Sequence, residues 1–129
     1  MSKTNQDLGK AGEDLALDFL LKQGYRIIAR NFRTRAGEID IVAADGLAIC
    51  FIEVKTRKHT GCGSGADSVS GKKQRNMAKA ASLFLQQRNL QDSPCRFDVV
   101  SIDCSEGLPL ISLIQNAFVL DENDEVSDV

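Results

Sequence analysis

The chain has 129 residues, enough for one domain with a single buried core and too few for a large multidomain assembly. Apolar residues make up 43% and charged residues 26%, an ordinary composition for a soluble α/β or α+β protein, and no apolar run approaches the roughly 20 residues of a membrane helix. No apolar segment follows Met1, so a cytoplasmic protein without a secretory leader is expected, and a formal net charge of −2 gives no overall attraction to an anionic partner.

A first helix is predicted over about residues 5–23, stopping at Gly24. Lys10, Asp14, Asp18 and Lys22 share one side of it, and Leu8, Leu15, Ala16, Leu17, Phe19 and Leu20 occupy the rest of the circumference. At about 100° per residue, Glu13 falls between Leu17 and Leu20, outside the charged arc. A carboxylate there faces the interior or a cleft, although the dipole at a helix start favours an acid in its own right. Residues 25–32 then read as a strand, 34–37 as a turn, and 38–43 and 47–55 as two further strands. Asp45-Gly46 between the last two is a two-residue hairpin signal.

Residues 56–70, with Gly61, Gly63 and Gly65 among Thr and Ser, read as a mobile loop. These glycines fit neither a phosphate-binding loop nor a dinucleotide fingerprint, because no Gly-Lys-Ser/Thr ending opens a helix after them. A second helix over about 71–89 takes Ser70 as its N-cap and turns Met77, Ala80, Ala81, Phe84 and Leu85 inward, with Lys73 and Gln74 on the same arc. Residues 96–102 and 110–114 complete a sheet, and the order α-β-β-β-α-β-β predicts a mixed sheet flanked by helices. Residues 1–120 are expected to form one domain. Residues 121–129 carry Asp121, Glu122, Asp124, Glu125 and Asp128 without a base, and read as a disordered acidic tail. Without that tail 13 acids face 16 bases, and the body is net +3. The bases cluster as Arg26, Arg30, Arg33 and Arg35, then Lys55, Arg57 and Lys58, then Lys72, Lys73, Arg75 and Lys79, a pattern that permits phosphate contacts and that solvated surface charge also explains. Cys50, Cys62, Cys95 and Cys104 form no CxxC pair and read as free thiols; His59 with Cys62 is one close pair of soft ligands, short of a zinc site.

The hairpin permits a geometric argument. If Asp45-Gly46 is the turn, Ala44 faces Leu47, Asp40 faces Phe51 and Glu38 faces Glu53. Glu38, Asp40, Phe51, Glu53 and Lys55 then project from one face, with Asp40 and Glu53 diagonal neighbours roughly 7–8 Å apart at Cα. Carboxylates opposed across a sheet repel, so they call for a compensating charge, from Lys55 or from a divalent cation. An exposed face with ordinary salt bridges has the same spacing, but Ile49 and Phe51 share this face and place the acids at the edge of a buried surface.

Gly37-Glu38-Ile39-Asp40-Ile41-Val42-Ala43 followed by Phe51-Ile52-Glu53-Val54-Lys55-Thr56-Arg57 resembles the PD-(D/E)xK nuclease superfamily, whose signature is an Asp and then Glu-x-Lys on the next strand. Together with Gly9-Lys10-Ala11-Gly12-Glu13-Asp14-Leu15-Ala16, the Lys73-Gln74 region and Arg96-Phe97-Asp98-Val99-Val100, the chain is similar over about residues 8–103 to the bacterial YraN-like proteins, a family related to Holliday junction resolvase-like nucleases. The superfamily's Pro before Asp is replaced by Ile39, and the Tyr that often follows the helical Gln by four is Ala78 here.

The resemblance implies a restriction endonuclease-like α/β fold and hydrolysis of DNA phosphodiester bonds with Mg²⁺ or Mn²⁺, on branched or otherwise non-standard DNA. It implies Asp40 and Glu53 as metal ligands, Lys55 serving the attacking water or the phosphate, and Glu13 completing the acidic site. Arg33, Arg35, Arg57, Lys58, Lys72, Lys73 and Gln74 are the candidate nucleic-acid contacts, and a homodimer is the assembly its resolvase-like relatives often adopt. A non-catalytic nucleic-acid-binding module on the same fold, and a small protein-interaction domain, are the alternatives. The intact Glu53-x-Lys55 favours the enzyme, since a binder needs no buried acids facing an anionic ligand.

Overall fold

The structure, a computed structural model, describes residues 5–57, 69–104 and 107–119, with side chains described from Lys10 onward. Lys58, His59, Cys62, the Gly61–Gly65 segment and the acidic tail, for all of which the sequence raised expectations, lie outside the described residues.

The elements follow the predicted order: α1 (Asn5–Lys22), β1 (Arg26–Arg33), β2 (Glu38–Asp45), β3 (Ala48–Arg57), α2 (Gly71–Gln87), β4 (Cys95–Asp103) and β5 (Leu110–Phe118). The five strands form one sheet in sequence order, antiparallel except where β3 pairs parallel with β4. That parallel pair needs a long crossover, and α2 supplies it. The fold is thus a mixed α/β sheet flanked by helices, as the residue pattern predicts. No helix among the described residues is long and apolar enough to cross a membrane.

β3 is a nearly continuous buried run, the pattern of a strand covered on both faces. Its alternate residues divide between two cores. Cys50 and Ile52 pack with Ala16 and Leu20 of α1, whereas Ile49 and Phe51 pack with Ala80, Ala81 and Phe84 of α2. Phe84 meets Phe32 and Phe51 edge-to-face, at centroid distances of 5.2 and 6.0 Å. Its burial is worth about 1.5–3 kcal/mol. The inward arc of α2 is as predicted, with Ser70 capping the helix by accepting the Lys73 N–H at 3.1 Å. Cys50, Cys95 and Cys104 are free thiols.

Two glycines set how closely the layers approach. A Cβ on Gly12 would collide with the Thr56 hydroxyl, so α1 lies directly on the end of β3. A Cβ on Gly37 would come within 2.8 Å of Asn76 Cβ and 2.9 Å of its carbonyl oxygen, so the β1–β2 turn is pressed against α2.

The hairpin register differs from the one the sequence suggests. Asp45 pairs with Ala48 and Val42 with Phe51, which makes Gly46-Leu47 the turn in place of Asp45-Gly46. Gly46 has φ 61°, the requirement of a turn with glycine at its first central position. Asp45 is drawn into the strand end, where its carboxylate accepts a 2.9 Å bond from Arg96. The slip is two residues, so each side chain keeps its face. Asp40, however, no longer opposes Phe51, which pairs with Val42, and the ladder stops before Asp40, Glu38 or Glu53 is paired.

Candidate active site

The β2–β3 ladder ends at the pair Ile41–Ile52, one residue short of Asp40 and Glu53. Beyond that point the Val54 N–H donates to Asp40 Oδ2 at 2.8 Å, so a side chain takes over where backbone pairing stops. On the other side of β2, the register places Asn31 opposite Asp40, and Asn31 has φ 51°. Alternation fails here too: Ile41 packs toward α1, and both Ile39 and Val42 pack toward α2. The sheet is therefore locally opened around Asp40, and groups from both helical layers reach it.

Four side chains converge. Glu53 is 4% exposed, and its carboxyl lies within hydrogen-bonding reach of Asp40. Burial, followed by the negative charge of Glu53, pushes the Asp40 carboxyl up to about 7 despite the Val54 N–H, and Glu13 adds to the rise. Glu13 reaches in from α1, its side chain 19% exposed, with Arg30 at 3.7 Å. That is the inward setting its place on the helical wheel allows. From the opposite layer, Lys73 Nζ lies 2.7 Å from Glu53 Oε2. Burial lowers the proton affinity of Lys73, but Glu53, Asp40 and Glu38 outweigh it, and the ammonium is held above its ordinary value.

The other sequence-predicted residues are placed as follows. Lys55 shares the α2-facing side of β3 with Glu53 by the two-residue period, but no hydrogen bond or ion pair engages its side chain among the described residues. The ammonium that meets Glu53 is thus that of Lys73, where the spacing points to Lys55 or a divalent cation. Gln74 donates to the Val69 carbonyl at 2.8 Å and so braces the start of α2. Arg33 pairs with Glu38 at 3.4 Å on an exposed rim, and Arg35 is exposed in the adjoining turn. Arg57 ends β3 half-buried. Lys72 and Lys73 line a cleft of about 280 Å³ with Gly37, Glu38, Ser70, Asn76 and Met77. The signal that would have singled out Lys73 was its position on the inward arc of α2, at the end nearest the acids.

A cation is the missing counterpart the donor set suits. Asp40, partly buried, and Glu53, buried, are hard oxygen donors side by side, with Lys73 on Glu53 and Arg30 beside Glu13 as the nearby positive charges. Among the described residues no group of three or more His, Cys, Asp and Glu side chains is arranged to hold an ion. An ion here would therefore rest on the two carboxylates plus water, a mode Mg²⁺ commonly adopts.

A second polar cluster lies on the α1-facing side of β4. Asp98, fully buried, accepts from Arg96 Nε at 3.0 and 3.1 Å, from the Asn116 N–H at 2.8 Å and from the Tyr25 hydroxyl at 3.4 Å. Arg96 also donates to Asp45 and to Tyr25, and Gln115 donates to Tyr25 at 2.8 Å.

Comparison with known proteins is consistent across nearly the whole chain. Residues 12–102 match the family described as "Uncharacterised protein family UPF0102". A UPF0102 protein of Symbiobacterium thermophilum is 48% identical over 112 residues, covering 86% of this chain and 95% of the relative. One of Geobacter metallireducens is 48% identical over 120 residues, covering 93% and 98%. One of Pseudomonas putida is 44% identical over 113 residues, covering 85% and 91%.

Proposed function

Since the chain belongs to the UPF0102 family, whose description assigns no activity, we propose from its own residues that it is a nuclease of the PD-(D/E)xK type, hydrolysing DNA phosphodiester bonds with Mg²⁺ or Mn²⁺. The observation that carries this reading is the meeting of a partly buried Asp40 and a buried Glu53 at the point where the β2–β3 ladder breaks. A divalent cation bound there would polarise a phosphoryl oxygen and make a water molecule acidic enough to attack.

The protein's own groups supply the rest. Asp40 is oriented by the Val54 N–H, which fixes one of its oxygens. Glu53 is held on a rigid central strand. Glu13 adds negative charge from α1 and is itself steadied by Arg30. Lys55, two residues beyond Glu53 and engaged by no hydrogen bond or ion pair among the described residues, would orient the attacking water or meet charge developing on the phosphate. Arg33 at the end of β1 and Arg35 on the turn, with Lys72 on the cleft wall, offer phosphate contacts that would position DNA without reading its sequence.

The test is a panel of linear, nicked, flapped and four-way DNA offered with Mg²⁺ and with Mn²⁺. Cleavage of at least one substrate is expected, and Asp40→Asn, Glu53→Gln and Lys55→Ala should each abolish it in folded protein. Activity persisting in all three variants removes this site. Binding to DNA without cutting, under either metal, would establish instead a non-catalytic nucleic-acid-binding module, and negligible binding at low salt would leave a protein-interaction domain.

A further inference from the structure

Lys73 is in direct contact with Glu53, and the Asp and Glu-x-Lys signature of the site does not include it. Its ammonium sits on Glu53 Oε2, and Lys73 itself also lines the neighbouring cleft. The backbone beneath it is fixed, since the Lys73 N–H is tied to the Ser70 cap. The side chain is not enclosed: it is 40% exposed, against 5% for Glu53. A four-carbon stem of this kind can swing its charge into the neighbouring cleft without moving the helix.

A divalent cation bound by Asp40 and Glu53 would lie within a few ångströms of that ammonium. Like charges at such a separation in a partly buried site repel strongly, and both cannot share Glu53 Oε2. We infer that Lys73 is a resident counter-ion that a divalent cation displaces from Glu53, and that the displaced ammonium turns to the cleft, where it meets a substrate phosphate. This rests on the cation-dependent reading above and adds its regulation. The two events are coupled. Metal frees Lys73 for the phosphate, and a phosphate that engages Lys73 frees Glu53 for the metal, by the same factor in each direction. The ammonium thereby keeps the acids paired, and metal affinity low, until DNA is present.

The experiment is calorimetric titration of MnCl₂ into the wild-type chain and into Lys73→Met, with Lys72→Met removing the same charge one residue away. Removing a competitor tightens Mn²⁺ binding, so Lys73→Met should lower the Mn²⁺ Kd about tenfold, and Lys72→Met by much less. A role in packing alone predicts the opposite sign, because a disturbed site binds metal more weakly. An unchanged or weaker Kd in Lys73→Met overturns the inference and leaves the cation-dependent reading standing. An equal gain in both variants also overturns it, since it would show only long-range charge. Absence of Mn²⁺ binding in either protein overturns both. A measurement on the unaltered chain makes the outcome independent of how the variant folds. The ε-methylene and ammonium NMR signals of Lys73 should move as Mg²⁺ is added, and their constancy while Mg²⁺ binds would refute displacement.

Discussion

Two aspartates on the same sheet, Asp98 fully buried and Asp40 partly buried, have opposite surroundings. Asp98 is saturated with donors: a guanidinium, a backbone N–H and a hydroxyl converge on its two oxygens. Asp40 receives one backbone N–H, lies beside the carboxyls of Glu53 and Glu13, and feels the Lys73 ammonium only through space. Each lies beside an irregular strand that contains an asparagine with positive φ, Asn116 with φ 53° and Asn31 with φ 51°. In the first case the distortion turns the Asn116 N–H toward the carboxylate. In the second it accompanies an opening of the sheet where acids from two layers gather. The fold itself neutralises the donor-saturated carboxylate, and the donor-poor one is where the proposed cation would bind.

The largest expected effect falls on the saturated cluster. Asp98→Ala leaves Arg96 without its main partner in the interior and should cost about 3–5 kcal/mol, read as a lower urea midpoint with unchanged m. Next is the donor-poor cluster, where the sign reverses. The Asp40 carboxyl keeps its proton up to about pH 7 in the folded chain but releases it near pH 4 when unfolded. Between those values the folded state binds more protons than the unfolded one, so metal-free stability falls as pH rises from about 4 to about 7. Asp40→Asn keeps an acceptor for the Val54 N–H and removes the charge. It should flatten that pH dependence and stabilise the metal-free protein at neutral pH by on the order of 2 kcal/mol, while abolishing cleavage. Destabilisation by Asp40→Asn would place Asp40 in the same class as Asp98.

Smaller effects sharpen the boundary of the site. Gly37→Ala must push the β1–β2 turn off Asn76, at about 1–3 kcal/mol, and should weaken DNA binding by shifting the cleft wall. Arg35→Ala and Lys72→Ala, at exposed positions, should change stability by less than about 0.5 kcal/mol. Each should lower the salt dependence of DNA affinity by about one unit of slope.

Much of this architecture was legible in the residue pattern. The seven elements in order, the inward arc of α2, its Ser70 cap and the inward setting of Glu13 follow from period and capping chemistry. The hairpin register did not, because Asp-Gly and Gly-Leu are both acceptable turns locally. What separates them is Arg96, far along the chain, which holds Asp45 in the strand. The same long-range dependence hid the role of Lys73. Spacing shows that Lys55 shares a side of β3 with Glu53, but only packing of α2 against the sheet shows which ammonium reaches the acid. The break in the ladder at Asp40 was equally invisible, since it arises from irregularities on two strands at once.

The central claim is that Asp40 and Glu53 form a cation site, and thermal unfolding with and without millimolar Mn²⁺ at neutral pH tests it most directly. The account predicts that Mn²⁺ raises the Tm of the wild-type chain and of Arg96→Lys, whose weakened cluster lies elsewhere, and leaves Asp40→Asn and Glu53→Gln unmoved. A wild-type Tm indifferent to Mn²⁺, or a rise of equal size in the two acid variants, would contradict it.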